Sequence, residues 1–182
     1  MMNLRIPLAE VTFAFVDVET TGLNPVWGHR VCEIAVLRTR GSEMLETFTS
    51  LVNPQRAVDS GAYAVHRIPA EALATAPLFS DVAVEVARLL EGATLVAHNA
   101  PFDLGFLAAE WRRLRWSPWQ GPVVDTLALA RYHFDFDSNS LGNVAARLGV
   151  YATAMHRALA DVEMTKGVLE VMLRHLRRHW RL

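Results

Sequence analysis

Two acidic side chains end an apolar run near the beginning of the chain. In FAFVDVETTG, residues 13–22, Asp17 and Glu19 follow Phe and Val residues and precede polar, turn-forming residues. Residues two apart on a strand point to the same face, so both carboxylates project side by side if the strand continues through Glu19. Two like charges held close repel each other, and a divalent cation between them removes the repulsion. The pair predicts a metal site, unless Glu19 already lies in the turn and both acids are solvated.

Two further acids follow apolar strands. LVAHNAPFDLGFL predicts a strand and then a helix whose first residue is Pro101, which places Asp103 in the first helical turn. The helix dipole alone also explains an acid there, yet open α/β sheets bind ligands where strands give way to helices. Asp125 in PVVDTLALAR directly precedes a helical pattern, and this position favours an N-cap role.

The segment MHRALADVEM adds His156 and Asp161. Five residues along a continuous helix is a rotation of about 140°, so the two side chains would not share a face. They meet at one site only if His156 lies on the loop before the helix and Asp161 lies on its first turns, and we predict that arrangement. Taken alone, the pair would be better explained by a solvated histidine and a surface acid.

Together these groups indicate metal-dependent hydrolysis. The four acids Asp17, Glu19, Asp103 and Asp161 offer the all-oxygen ligands that Mg²⁺ or Mn²⁺ prefers. Two such ions about 3.5–4 Å apart are the device with which nucleases activate a water and stabilise a leaving oxygen. A neutral His156 beside that water would serve as the general base near neutral pH.

The elements that must position these groups are those of an α/β fold. At 182 residues, 52% of them apolar, the chain has the size of one domain, and no linker or repeat marks a boundary, so we predict a single domain over residues 1–182. Early strands followed by strand-helix alternation indicate a mixed sheet with helices on its faces, and the apolar run 11–18 is its central strand. The predicted strands are 11–18, 31–39, 43–52, 94–97 and 122–124; the predicted helices are 80–90, one beginning at 101, 126–132, 141–148 and 157–178, with short helical pieces in the polar loop 52–73.

Composition excludes several classes of protein. The longest run without Asp, Glu, Lys or Arg, residues 92–102, is far below the roughly 20 residues of a membrane span. The N-terminus lacks a secretory signal pattern, so we expect a cytoplasmic protein without membrane contact. The one cysteine, Cys32, excludes an intramolecular disulfide and a Cys-based zinc site, and its apolar neighbours predict a buried strand thiol.

A net charge of −1 means that any nucleic-acid contact must come from a local patch. EWRRLRWSPWQ is the most conspicuous candidate. It is a nucleic-acid patch in one interpretation and a helix end with tryptophan packed inward and arginine solvated in the other, which we favour. The residues concerned are Trp111, Arg112, Arg113, Arg115, Trp116 and Trp119.

Three segments resemble the motifs of a known family. FVDVETTGLNP, LVAHNAPFDLGFL and HRALADV are similar, in order and spacing, to the three exonuclease motifs of the DEDDh class of 3′–5′ exonucleases, which includes the proofreading epsilon subunit of bacterial DNA polymerase III. The resemblance implies a ribonuclease H-like fold. It also implies that Asp17 bridges two metal ions, that Glu19 and Asp161 bind one of them, that Asp103 serves the second and that His156 deprotonates the attacking water.

The resemblance also implies substrate contacts. The backbone from Thr20 through Thr21 and Gly22 to Leu23 would border the terminal nucleotide, while Asn99 and Phe102 would contact the strand or shape its channel. YAVHRI resembles a family segment that commonly reads His-Gly-Ile, so His66 is expected to contact the 3′-terminal region. Arg67 stands where glycine is more usual.

The implied reaction releases nucleoside 5′-monophosphates from the 3′ end of a strand, without a nucleophilic Ser or Cys and without a nucleotide cofactor. Single-stranded or frayed DNA is the expected substrate, in proofreading, repair or turnover. Two alternatives remain. An exoribonuclease would have the same acids, because these cannot sense the sugar; a non-catalytic module would bind nucleic acid or a polymerase. No long C-terminal extension follows the last helix, so the protein is either a stand-alone enzyme or a proofreader that contacts a DNA polymerase through another surface.

Overall fold

The computed structural model describes residues 7–151 and 157–179. Two short 3₁₀ helices, Leu8–Glu10 and Pro25–Trp27, accompany the regular elements. The strands are β1 (Thr12–Thr20), β2 (Val31–Arg40), β3 (Glu43–Leu51), β4 (Thr94–Ala97) and β5 (Val123–Asp125). The helices are α1 (Ser60–His66), α2 (Ala70–Ala74), α3 (Phe79–Leu90), α4 (Ala100–Arg113), α5 (Thr126–His133), α6 (Leu141–Arg147) and α7 (Ala158–His179).

The five strands form one mixed sheet in the order β3-β2-β1-β4-β5. The pairs β1–β2 and β2–β3 are antiparallel, whereas β1–β4 and β4–β5 are parallel. The predicted α/β class is therefore confirmed, and the strand that carries the first two acids is central, as its uninterrupted apolar run predicted.

Both faces of the sheet are covered by helices. On β1, Ala14, Val16 and Val18 pack into a core with α3 and α4, while Phe13 and Phe15 pack on the opposite face against α7. Because strand residues alternate between faces, the odd-numbered residues that continue the row of Phe13 and Phe15 also point to the α7 side. This alternation directs residues 17 and 19 toward the beginning of α7.

The structure decides between the two positions considered for Glu19. The strand β1 extends to Thr20, because its antiparallel pairing with β2 continues through Glu19 opposite Glu33, and a register shift follows directly after it. Glu19 is therefore a strand residue, and the alternative that places it in the turn is wrong. A smaller correction concerns α4, which begins at Ala100, so that Pro101 is its second residue.

The environment of Cys32 is the one predicted. Its side chain is fully buried on β2, and burial, followed by the charges of Glu19 and Glu33, raises the pKa of the thiol to about 12. Among the described residues, no helix is both long and apolar enough to cross a lipid bilayer. The cytoplasmic location remains a prediction.

Arg67 closes α1 in the left-handed conformation, with φ 55° and ψ 28°. This geometry explains why glycine suits the position, because a side chain there adds strain of about 1 kcal/mol. We expect Arg67→Gly to raise the free energy of unfolding by up to about 1 kcal/mol, measured by urea denaturation. Arg112→Gly, at an exposed helical position, is the matched control and should lower it by about 1 kcal/mol. Equal effects of the two changes would contradict this account of Arg67.

Candidate active site

Three of the predicted acids converge at the end of β1. Asp17 and Glu19 project from the strand, and Asp161 lies in the first turn of α7. Carboxylate oxygens of the three side chains lie within 4.8 Å of one another, and each side chain is partly buried. The face alternation of β1 and the packing of α7 on that face account for this acidic cluster. The two strand acids lie side by side, as their spacing predicted.

Asp103 lies beside this cluster but outside it. Asp103 is 3% exposed, and its Oδ1 accepts a hydrogen bond of 3.1 Å from the backbone N–H of Val18. That bond ties the beginning of α4 to β1 between the two strand acids. The charge of Asp103 is the largest electrostatic contribution to the raised pKa of Asp17, so the two carboxyls are close enough to interact strongly.

The electrostatics of the site oppose ionisation of its acids. Burial raises the pKa of Asp17 well above its usual range, and the charges of Asp103, Asp161, Glu19 and Glu33 raise it further. Burial likewise raises the pKa of Asp103. For Glu19, burial and then the charges of Asp161 and Glu33 raise the pKa to about 7. A group of oxygen ligands that is this reluctant to ionise fits a divalent cation, because the cation would stabilise the ionised carboxylates.

An ion pair that was not predicted from the sequence anchors α7. Glu33 of β2 is 3% exposed and accepts hydrogen bonds from Nε and Nη2 of Arg157, the latter at 2.7 Å, and from the backbone N–H of Ala158 at 3.2 Å. The pair holds the first residues of α7 against the sheet next to Glu19. One signal was available: an acid inside the apolar run RVCEIAV needs a buried partner.

His156 lies outside the described residues, and its role as general base remains a prediction. The helix that follows it in the chain begins within one residue of the predicted position. The helix α7 starts at Ala158, and the backbone N–H of Asp161 bonds to the carbonyl of Arg157 at 3.1 Å. Asp161 therefore occupies a first-turn position, and residue 156 precedes the helix in the chain, as the predicted arrangement requires.

The turn after β1 has its side-chain hydroxyls directed into the protein. Thr20 donates to the carbonyl of Gly22 at 2.7 Å, while the Thr21 hydroxyl accepts from the N–H of Arg30 at 3.0 Å and lies 3.2 Å from Nδ1 of His29. A Cβ at Gly22 would lie 2.2 Å from the His29 ring, so only glycine fits there without a shift of the ring. Because both hydroxyls have partners within the protein, the Leu23 side chain, which is 82% exposed, is the group of this turn that a ligand could contact.

A cavity of about 580 Å³ adjoins this turn. Gly22 and Leu23 form one side of it, and residues at the beginning of α1 form the other. The lining residues on the α1 side are Asp59, Ser60, Gly61, Ala62 and Val65. The cavity therefore begins three residues beyond Glu19 in the chain.

His66 is buried at the end of α1. Its residue is 4% exposed, its Nδ1 accepts from the N–H of Ile68 at 3.0 Å, and its Nε2 lies 3.8 Å from the sulfur of Cys32. Burial lowers the pKa of the ring. The contacts show that His66 fixes the end of α1 to β2. A contact between His66 and a 3′-terminal nucleotide remains a prediction.

The remaining predicted residues lie at the beginning of α4. Asn99 is exposed at the N-cap with a φ of 74°, and its N–H donates to Oδ1 of Asp125 at 3.0 Å. Asp125 also accepts from the N–H of Leu127 at 2.9 Å, which confirms its predicted capping role. Phe102 is partly buried, with its ring 5.0 Å from that of Phe106. Asn99 and Phe102 therefore lie in the segment that leads to Asp103, and their contact with a nucleic-acid strand remains a prediction.

The tryptophan and arginine cluster lies at the other end of α4. Trp111 is 4% exposed and belongs to the core, whereas Arg112, Arg113 and Arg115 are exposed. Because nine residues of helix separate Asp103 from Arg112, the arginines begin about 13 Å away along the helix. Trp111 and the solvated arginines agree with the favoured interpretation of a helix end, whereas Trp116, which is 40% exposed, does not pack inward.

A mixed sheet that gathers carboxylates at the end of its central strand, with helices on both faces, defines the ribonuclease H-like class of fold. The sequence matches the RNase_T family, described as Exonuclease, over residues 14–169. The chain belongs to this exonuclease family, and the resemblance to the DEDDh-type 3′–5′ exonucleases is confirmed.

Individual relatives agree with this assignment. The chain is 34% identical over 168 residues to a DNA polymerase III PolC-type of Bacillus cereus and 39% identical over 175 residues to a DNA polymerase III subunit epsilon-like protein of Rhodobacter capsulatus. These alignments cover 92% and 93% of the chain but only 12% and 24% of the relatives. The crystal structure of E. coli Exonuclease I in complex with a dT13 oligonucleotide shares the fold with a TM-score of 0.81 at 21% identity, over 93% of this chain and 42% of that one.

The raised pKa values make stability depend on pH in a defined direction. In EDTA, the folded state retains protons on Glu19, pKa about 7, that the unfolded state has already released above pH 4.5. Stability is therefore expected to fall as the pH rises from 5 to 8, by about 4 °C or more in Tm. Asp17→Asn removes one charge from the cluster and should reduce this fall, as measured by calorimetry in EDTA.

Asp137→Asn, at an exposed position, is the matched control and should keep the pH dependence of the parent. Adding Mg²⁺ at pH 8 should raise the Tm of the parent more than that of Asp17→Asn, because the ion binds only the folded cluster. A parent Tm that is flat between pH 5 and 8 in EDTA would contradict the electrostatic account.

The ion pair of Glu33 and Arg157 should respond asymmetrically to mutation. The Glu33 side chain is 4% exposed and that of Arg157 is 54% exposed. Removing the arginine leaves a buried carboxylate, whereas removing the acid leaves a cation that water can solvate. We expect Arg157→Met to lower the free energy of unfolding by about 2–3 kcal/mol and Glu33→Gln by about 1 kcal/mol in urea titrations. Lys166→Met, which breaks the more exposed pair with Glu170, is the control, with an effect of about 0.5 kcal/mol. The reverse order of the first two changes would refute the asymmetry.

Proposed function

We propose that this chain is a metal-dependent 3′–5′ exonuclease that acts on single-stranded or frayed DNA and releases nucleoside 5′-monophosphates. The observation that supports this most directly is the convergence of Asp17, Glu19 and Asp161 within 4.8 Å on an exonuclease-family fold. The whole of residues 1–182 would form one exonuclease domain. We further propose that it works in the cytoplasm, in proofreading, repair or turnover.

The proposal assigns the acids to two divalent cations, Mg²⁺ or Mn²⁺. Asp17 would contact both ions, Glu19 and Asp161 one of them, and Asp103 the other. When bound, such ions neutralise charge on the phosphodiester and lower the pKa of a bound water. The donor set supports the assignment, because the three clustered side chains offer only carboxylate oxygens, which suit hard cations.

The chain's own residues would bind and orient the strand. The turn Thr20–Leu23 and its cavity would receive the terminal nucleotide, Asn99 and Phe102 would border the strand, and the contact of His66 would be indirect, through the end of α1. His156 would accept a proton from the attacking water. The water oxygen would bond to phosphorus as the bond between phosphorus and the 3′ oxygen of the preceding nucleotide breaks. That oxygen would take a proton from solvent and become the new 3′ hydroxyl, and the phosphate would remain on the released nucleotide as a 5′-monophosphate.

The names of the relatives favour DNA over RNA and a polymerase as a partner. Two relatives are DNA polymerase III proteins, and the E. coli Exonuclease I structure contains a dT13 oligonucleotide. An exoribonuclease is the second candidate, since nothing in the carboxylate set selects the sugar. A non-catalytic module is disfavoured, because it would have no need for a cluster of acids with raised pKa values.

Activity can be tested with 5′-labelled DNA and RNA oligonucleotides of the same sequence, in Mg²⁺, Mn²⁺ or EDTA. We expect shortening from the 3′ end of the DNA only with a divalent cation. Asp17→Ala should slow it by at least about a thousandfold, because loss of a metal ligand removes several kcal/mol of transition-state stabilisation. Asp137→Ala is the matched control and should retain parental activity. Activity of Asp17→Ala within tenfold of the parent would refute its assignment, and faster shortening of the RNA would favour the exoribonuclease.

The metal requirement should depend on pH. Each ion must displace protons from carboxyls with raised pKa values, about 7 for Glu19. The Mg²⁺ concentration for half-maximal activity should therefore fall by about tenfold or more between pH 6 and 8, measured by Mg²⁺ titration of the DNA reaction. A half-maximal concentration that does not change over this range would contradict the proposed ligand set.

A further inference from the structure

Three large apolar side chains extend into solvent directly after the turn. Leu23, Val26 and Trp27 are 82%, 86% and 75% exposed. We call Leu23 to Trp27 the apolar tip. Apolar side chains that are grouped in solvent commonly mark a binding surface. A tryptophan contributes much to such a surface, because its large rigid face binds with little loss of conformational freedom.

The apolar tip is held rigidly. Its 3₁₀ helix Pro25–Trp27 begins at Asn24, whose side chain accepts from the N–H of Val26 at 2.9 Å. It ends at Gly28, which has a φ of 79° and donates its N–H to the carbonyl of Pro25 at 3.0 Å. The exposure of Trp27 therefore results from an ordered backbone, and a ligand that covers the indole need not order this loop first.

The apolar tip is rooted at the proposed nucleotide site. Gly22 and His29 are in contact, and the N–H of Thr21 bonds to the carbonyl of Arg30 at 2.9 Å, so residues 22–29 form a closed loop on the turn. Trp27 is two residues from His29, which limits its Cα to about 7 Å from that root. On the other side, Pro25 packs near Gly105 of α4, the helix that carries Asp103.

A cation lies at the backbone of Trp27. Arg56 places Nη1 3.5 Å from the carbonyl oxygen of Trp27, and its side chain is 32% exposed. Its nearest acid is Asp59, with Nη2 3.8 Å from Oδ1, which is a long and solvated ion pair. Exposed aromatic rings and nearby cations together bind single-stranded nucleic acid without sequence preference, and the loop of Trp27 carries one of each.

We infer that Trp27, supported by Val26 and Arg56, stacks on the base of the nucleotide that precedes the scissile bond. The inference rests on the proposed function, since it assumes that the terminal nucleotide occupies the cavity beside Gly22. Leu23 lines that cavity and is the first residue of the apolar tip, so a strand that leaves the cavity on this side would pass over the apolar tip. Trp27 thereby increases affinity for strands whose penultimate base is unpaired and free to stack.

The test compares KM for an oligo(dT) with KM for the same strand that has an abasic residue in the penultimate position. Trp27→Ala should raise KM for the intact strand about tenfold, within the range that loss of one base-aromatic stack produces. The abasic residue should raise KM of the parent by a similar factor, and the two changes combined should raise it little further. Trp27→Phe should recover most of the affinity, whereas Trp27→Leu should not.

Tyr132→Ala is the control variant, because Tyr132 is an exposed aromatic residue on α5. It should leave both KM values unchanged. Independent, multiplicative effects of Trp27→Ala and the abasic residue would overturn the inference, and so would a KM of Trp27→Ala within twofold of the parent. The p-nitrophenyl ester of thymidine 5′-monophosphate has no preceding base. If the parent hydrolyses neither this ester nor the strand, the proposed function itself is refuted. If the parent hydrolyses both and Trp27→Ala has no effect, only the stacking is refuted.

Discussion

Repulsion among buried carboxylates is the constraint on which the rest of this structure depends. Asp17, Glu19 and Asp161 are brought within 4.8 Å of one another, and burial and mutual charge raise the pKa values of the two strand acids. Apolar packing must oppose this repulsion. The two covered faces of β1 and the long helix α7 supply that packing, because each fully buried apolar side chain contributes about 1.5–3 kcal/mol. The stability of the core is thus used to hold an unfavourable cluster that favours a divalent cation.

Rigid attachment of the two sides of the site follows from that constraint. Asp161 comes from an element far along the chain, and the Glu33–Arg157 pair together with the N–H of Ala158 fixes the beginning of that element to β2. On the other side, Asp103 is fixed to β1 through the N–H of Val18. Both connections use buried hydrogen-bonded carboxylates, which are costly to leave without partners. The geometry of the acidic cluster is therefore set by hydrogen bonds on its two sides, one made by Glu33 and the other by Asp103, which is itself a proposed metal ligand.

Side chains fix the conformation of the turn after β1. The Thr20 and Thr21 hydroxyls bond within the protein, and the His29 ring occupies the space that a side chain at Gly22 would need. The same contact between Gly22 and His29 closes the loop that bears Trp27. Asp17 and Glu19, the turn and the apolar tip are thus consecutive in the chain and rigidly joined, so a strand bound on the apolar tip as proposed would be aligned with these two acids.

The sequence by itself determined the elements, the shared face of Asp17 and Glu19, the cap at Asp125 and the burial of Cys32, because hydrophobic periodicity and capping are local properties. It did not reveal the Glu33–Arg157 pair, whose partners are 124 residues apart, or the burial of His66 against Cys32. Only the tertiary structure decided that Asp161 joins the strand acids while Asp103 stands beside them, and that Trp27 is exposed next to Gly22 whereas Trp111 is buried. Those outcomes depend on which distant elements pack together, and no local pattern encodes that.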